Sequence, residues 1–163
     1  MWRILAILGG VSGAVTLSQF PEFSQQYLQR LAGKADALAQ VTAEFDATAA
    51  KNGLTRDAAL TTLTGSQVAL DHQADLRIDF ARSATLSENL TTLRQASPLA
   101  RLTMPQRFGD AETLQATWAD FRPAIPATSD GAVTAGIGYA AGWGGIALIW
   151  RVLSLPFRRR RLS

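Results

Sequence analysis

The stretch DGAVTAGIGYAAGWGGIALIWRVLSLPFRRRRLS, Asp130–Ser163, decides how the rest of the chain is read. From Ala132 to Trp150 the only ionisable group is the Tyr139 phenol, and the apolar run continues past Arg151 to Phe157. As an α-helix, the part from Ala132 to Leu155 would extend about 36 Å, enough to cross a hydrocarbon core of about 30 Å with some tilt. Four arginines, Arg158, Arg159, Arg160 and Arg161, follow at once. An apolar helix closed by a basic cluster reads as a transmembrane span over 131–157 with a cytoplasmic tail over 158–163.

The N-terminus, MWRILAILGGVSGAVTLSQF, supplies a second apolar run from Ile4 to Phe20. At about 26 Å it sits at the short end of the spanning range. A secretory signal peptide cleaved near Ser12-Gly13-Ala14 competes with an uncleaved first span over residues 1–20. The bulky, helix-forming residues that follow favour the uncleaved span. With two spans and a cytoplasmic C-terminus, both termini are cytoplasmic, and residues 21–130 are expected in the periplasm of a bacterial inner membrane.

Charge is partitioned in the same way. All 13 acidic residues lie between Glu22 and Asp130, and the six basic residues outside that segment flank the apolar ends. A nucleic-acid binder would carry its basic surface on the folded part, so no nucleic-acid partner is expected. The absence of cysteine excludes disulfides, thiolate nucleophiles and Cys-type metal sites.

The middle of the chain reads as helix. Phe23, Tyr27, Leu31, Ala35, Leu38, Thr42 and Phe45 recur in steps of three and four, one face of a helix. Asn52-Gly53 stops it, and Thr55 and Asp57 open the return arm. There Leu60, Leu63, Leu70, Ala74, Ile78 and Ala81 keep the period, with Leu86, Leu90 and Leu93 continuing less regularly. An antiparallel hairpin over 21–97 follows. Its return arm is the longer, so a break is expected at Gly65 or within 83–87. Pro21 suits a first helical turn or a kink at the membrane exit, with Ser18 as a candidate cap. Residues 98–130, punctuated by four prolines, read as a connector holding a short helix over 110–121. Leu114, Trp118 and Phe121 would form its single apolar face, lying in the membrane interface or closing the base of the hairpin. The fold class is therefore all-α: two transmembrane helices flanking an extracytoplasmic helical hairpin.

No constellation of residues carries chemistry. Asp71, Asp75 and Asp79 share a helix face beside His72, the only histidine. A solvated face with Arg77 and Arg82 as partners explains them better than a metal site. The tract 136–145 lacks the lysine of a phosphate loop and sits inside a span. No catalytic residue, cofactor, metal or small-molecule substrate is expected.

The glycines carry more information. The first span holds Gly9-x-x-x-Gly13. The second holds Gly138-x-x-x-Gly142, with Gly145 on the same stripe and Gly136 and Gly144 pointing elsewhere. In lipid, small residues let helix backbones approach and supply the packing. One glycine face per span suffices for the two spans to pair, so further small faces imply a neighbour. Trp2 and Arg3 at one end, and Trp150 and Arg151 at the other, read as membrane-interface anchors, as do Trp118 and Phe121. Trp143, nearer mid-span, is expected against a glycine surface.

Straight after the glycine-rich first span, Ser18-Gln19-x-Pro21-Glu22-Phe23-x-Gln25-Gln26-Tyr27-x-Gln29-Arg30-Leu31-x-Gly33 resembles a family of small proteobacterial inner-membrane proteins of unknown function. The resemblance implies two spans around a helical extracytoplasmic region, and no activity. Physically, Gln19, Gln25, Gln26, Gln29 and Arg30 crowd the membrane exit and could contact lipid headgroups or a partner; the plainer reading is a hydrated first turn. The expected function is that of a non-enzymatic inner-membrane structural protein, self-associating through its glycine faces as a scaffold. The alternatives are an accessory subunit of a larger respiratory or transport complex, or a lipid-binding membrane protein. Membrane lipids and either further copies or a larger complex are the expected partners.

Overall fold

The computed structural model of the chain describes residues 2–123 and 128–158. Among them the regular elements are all helical, with no strand: α1 (Trp2–Ser18), α2 (Phe20–Lys51), α3 (Arg56–Thr61), α4 (Gln67–Gln95), α5 (Pro98–Arg101), a 3-10 turn (Pro105–Phe108), α6 (Ala111–Ala119) and α7 (Ser129–Arg158). The chain divides into two compact units. One comprises the residues up to Gln25, Pro98–Thr103 and those from Asp120 on; the other comprises Gln26–Ser97 and Met104–Ala119.

In the first unit, α1 packs on α7. The apolar run that begins with α1 and the helix α7 are each long and apolar enough to cross a membrane, and only 17% and 11% of their apolar windows are buried. That low burial separates them from the core helices of a soluble protein. Ile4, Leu8 and Val15 of α1, and Leu148 and Leu153 of α7, are each more than half exposed. Placed in water, such a surface would cost about 25 cal/mol per Å² of apolar area.

Ser18 closes α1 but does not cap α2: its hydroxyl donates back to the Val15 carbonyl at 2.8 Å. Gln19 alone interrupts the helix, and Phe23 N–H donates to its carbonyl to start the next one. Pro21 lacks an N–H, so an uninterrupted ladder is impossible there, and proline is tolerated as part of a first turn.

The second unit is the helical hairpin. α2 ends in a left-handed cap: Gly53 has φ +70°, Gly53 N–H donates to the Ala50 carbonyl and Leu54 N–H to that of Ala49. Thr55 then caps α3, its hydroxyl accepting from Ala58 N–H at 3.3 Å. The return arm breaks between Thr61 and Gln67, around Gly65 at φ +96°, and Ser66 caps α4. Tyr27, Leu28, Leu31, Ala35 and Ala49 from α2 are buried with Leu60, Phe80, Leu86, Leu90, Leu93 and Phe108. Phe45 meets Phe80 at 5.1 Å between ring centroids.

Two faces differ from the sequence reading. On α4 the buried side is Phe80, Ser83, Leu86, Asn89, Leu90 and Leu93, whereas Leu70, Ala74, Ile78 and Ala81 are exposed. Two interleaved stripes run along this helix, and packing chose the one anchored by Phe80. On α6 the buried residues are Thr113 and Thr117, while Trp118 is 73% exposed. The hydroxyl of Thr117 is satisfied within the helix, donating to the Thr113 carbonyl at 2.7 Å, so a threonine face can be buried at little cost. Phe121 lies beyond the end of α6 and packs edge-on against Phe23 at 5.6 Å, within the first unit. The single Leu114–Trp118–Phe121 face therefore does not exist.

Candidate functional site

The most specific geometry in the molecule is the contact between α1 and α7. A β-carbon built on Gly13 would overlap the carbonyl oxygen of Gly138, and one built on Gly138 would overlap that of Gly13. The same holds for Gly142 against the Gly9 carbonyl. As the α1 position advances by four, its α7 partner falls back by four, so the helices run antiparallel. In that register Trp2 and Trp150 come to the same end of the pair. Arg3 lies over the Trp2 ring at 5.9 Å, and Trp150 is 44% exposed. Gly10 faces the Tyr139 ring, whose Cε2 would stand 2.7 Å from an added β-carbon. Tyr139, not Trp143, is thus the aromatic over a glycine; Trp143 is 42% exposed. Ala6 and Thr134 are fully buried, and the Thr134 hydroxyl donates to the carbonyls of Asp130 and Gly131.

The structure thus brings together Gly9, Gly13, Gly138 and Gly142. A β-carbon added at Gly136, Gly144 or Gly145 would meet no described atom within 4 Å beyond its own stretch of helix. Gly145 shares the helical stripe of Gly138 and Gly142 yet makes no such contact. Gly136, Ala140 and Gly144, spaced by four, lie on the opposite side of α7 from Gly138 and Gly142. Arg151 is exposed; Arg159, Arg160 and Arg161, with the side chain of Arg158, lie outside the described residues.

Near the start of α2, Gln25 and Gln29 are exposed, as is Arg30, while Gln19 and Gln26 are partly buried. Gln19 donates to the Ser18 hydroxyl at 3.2 Å. Next to them, Ser24 is fully buried and accepts from the Arg101 guanidinium at 3.3 Å. Burial pushes the Arg101 pKa down.

A polar cluster that the sequence did not signal sits within the second unit. Asp110, whose side chain is 7% exposed, accepts from Lys34 at 3.0 Å and from Arg82 at 2.7 Å. Its carboxylate also caps α6, accepting from Thr113 N–H at 3.1 Å and Thr113 Oγ1 at 2.5 Å. Glu112 meets the same two cations at 2.5 and 3.1 Å. Burial works to raise the Asp110 pKa, but the bonds from Thr113, Arg82 and Lys34 outweigh it and hold the carboxyl well below its ordinary range. Beside it, Tyr27 is fully buried against Phe108 at 4.7 Å, and its hydroxyl makes no hydrogen bond among the described residues. Burial pushes that phenol up. Two cations on two carboxylates leave the cluster without net charge. The cluster ties α2, α4 and α6 together across 76 residues of sequence.

At the turn end of the hairpin, a half-open pocket of about 400 Å³ is lined by residues that include Phe45, Ala49, Leu54, Ala59 and Leu63. The hydroxyls of Thr48 and Thr62 on its wall donate to carbonyls of their own helices.

The family is set by the chain as a whole. The model of the family described as "Protein of unknown function (DUF2937)" matches residues 1–159. The chain belongs to that family. No curated protein and no solved structure matches it. Membership of this family brings no activity with it.

Proposed function

We propose that this DUF2937 protein is a non-enzymatic structural protein of the bacterial inner membrane. Its two spans pair through the glycine seam and its copies self-associate through the back of α7, scaffolding a patch of membrane. The observation that carries the reading is the contrast between the two sides of α7. Gly138 and Gly142 are used inside the protomer, whereas Gly136, Ala140 and Gly144 make a second small-residue stripe facing outward. Lipid tails are as apolar as leucine, so a helix facing only lipid needs no glycines; small residues matter where another backbone approaches.

The seam also supports an uncleaved first span. Gly9 and Gly13 fit closely to Gly142 and Gly138, a fit with no purpose for a segment removed after export. With α1 retained, an antiparallel pair puts both termini on one side, and the arginines after Phe157 favour the cytoplasmic side.

The test compares Gly136→Leu and Gly144→Leu with wild type in a mild, uncharged detergent. Both variants should insert, since leucine favours the bilayer. The reading requires that they dissociate a wild-type particle containing only this chain. A wild-type particle that is a single copy, or that always holds other subunits, counts against it.

A further inference from the structure

The outer face of α4 presents an apolar strip to solvent. Leu70 and Ile78 are 45% and 63% exposed, with Ala74 and Ala81 exposed between and beyond them. Their spacing of four, four and three places them on one helical face, opposite Phe80 and Ser83. The two flanks of the strip differ in charge. Asp71 and Asp75 lie on one side and Arg77 on the other, all three exposed. Gln67 donates to Asp71 at 2.8 Å, and Asp57 stands 3.9 Å from Arg77; neither contact covers the strip.

We infer that this strip packs against the same strip of a second copy of the chain, with the two α4 helices parallel. The inference rests on the self-association proposed above and adds a second contact to it. Charge selects the direction. When two identical parallel helices are related by a two-fold axis along their length, the left flank of one meets the right flank of the other. Asp71 and Asp75 then face Arg77 of the second copy, twice over. In an antiparallel pair, like flanks meet, and Asp71 lies opposite Asp75, which repels. The size of the strip fits a contact that acts only between tethered copies. Two large and two small side chains cover far less than the roughly 1,000 Å² needed for a stable interface between free partners. Copies already held in one particle meet at an effective concentration of about millimolar, where weak contacts suffice.

The chain has no cysteine, so single-cysteine variants of the full-length protein in membranes report cleanly. Ile78→Cys should form a disulfide-linked dimer about ten-fold faster than Gln40→Cys, an exposed site on α2 that reports random encounter. Adding Arg77→Asp should remove that advantage, and adding Asp71→Arg and Asp75→Arg to it should restore the advantage. Ala140→Cys reports the span contact separately. Cross-linking at 140 with no excess at 78 overturns the strip contact and leaves span self-association standing. No cross-linking at either position overturns both. Mixed Leu70→Cys and Ile78→Cys dimers without any 78–78 dimer overturn the parallel direction.

Discussion

Gly13 and Gly138 lie backbone to backbone, so close that a β-carbon on either would overlap the other's carbonyl oxygen. One helical turn away, a β-carbon on Gly142 would likewise overlap the Gly9 carbonyl oxygen, and one on Gly9 would run into the Ile146 side chain. Close approach of this kind gains dispersion contacts along two main chains, the principal source of cohesion between helices in lipid. It also makes the seam intolerant of any side chain.

Gly138→Leu should therefore weaken the pairing of the spans by about 1–3 kcal/mol, the usual cost of overpacking a tight contact. Gly144→Leu, on the open side, should leave that pairing unchanged. Helix loss in mixed micelles titrated with a denaturing detergent measures both. Equal midpoints for the two variants would mean that the seam contributes nothing.

The Asp110 cluster carries a pH dependence with a definite sign. Its folded pKa lies below the ordinary value near 3.8, so its contribution is fully present above that value and is lost as pH falls through the folded pKa. Asp110→Asn should cost about 1.5 kcal/mol at neutral pH. The gap between variant and wild type should narrow as acid is added below about pH 4. Thermal unfolding followed across pH checks both; a constant gap would remove Asp110 from the acid response.

Two glycines of the hairpin should respond in opposite directions. Gly33, exposed within α2, has open space where a β-carbon would go, so Gly33→Ala should stabilise the helix by about 0.5–1 kcal/mol. Gly53 sits at φ +70°, and Gly53→Ala should destabilise by about 1 kcal/mol. A raised midpoint for the first and a lowered one for the second, in the same thermal assay, is the expected pattern.

How far the fold was legible in the sequence follows from which forces act locally. The two long apolar helices show in composition alone, because a span is defined by its length and its lack of charge. The hairpin turn shows as well, since Asn52-Gly53 and Thr55 are local capping signals. The buried face of α4 showed only in its second half, where Leu86, Leu90 and Leu93 are buried; Phe80 and Ser83 in its first half did not show. Leu70, Ala74 and Ile78 keep as good a period as Phe80, Leu86 and Leu90, and only contact with α2 decides between two such stripes. The threonine face of α6 was hidden for a related reason: Thr113 and Thr117 look polar until their hydroxyls are seen bonded locally. The ties from Lys34 and Arg82 to Asp110 join residues remote in sequence, and no spacing rule reaches that far. In the spans, Gly138 and Gly142 were readable as a packing motif. That Gly145 makes no close contact was not, because stripe position does not fix how far a contact extends.

The topology can be tested through positions 53 and 163. Gly53→Cys and Ser163→Cys, made singly, should react with a membrane-impermeant maleimide from opposite sides of the membrane. Labelling of both from one side contradicts a membrane crossing by α7 between them.

The proposal that the back of α7 joins copies is tested most directly by the mass of the purified protein. Light scattering with the detergent contribution subtracted should give a uniform multiple of the 17.5 kDa chain for wild type and a single chain for Gly136→Leu. Wild type at the mass of one chain, or Gly136→Leu at the full wild-type mass, would contradict the account.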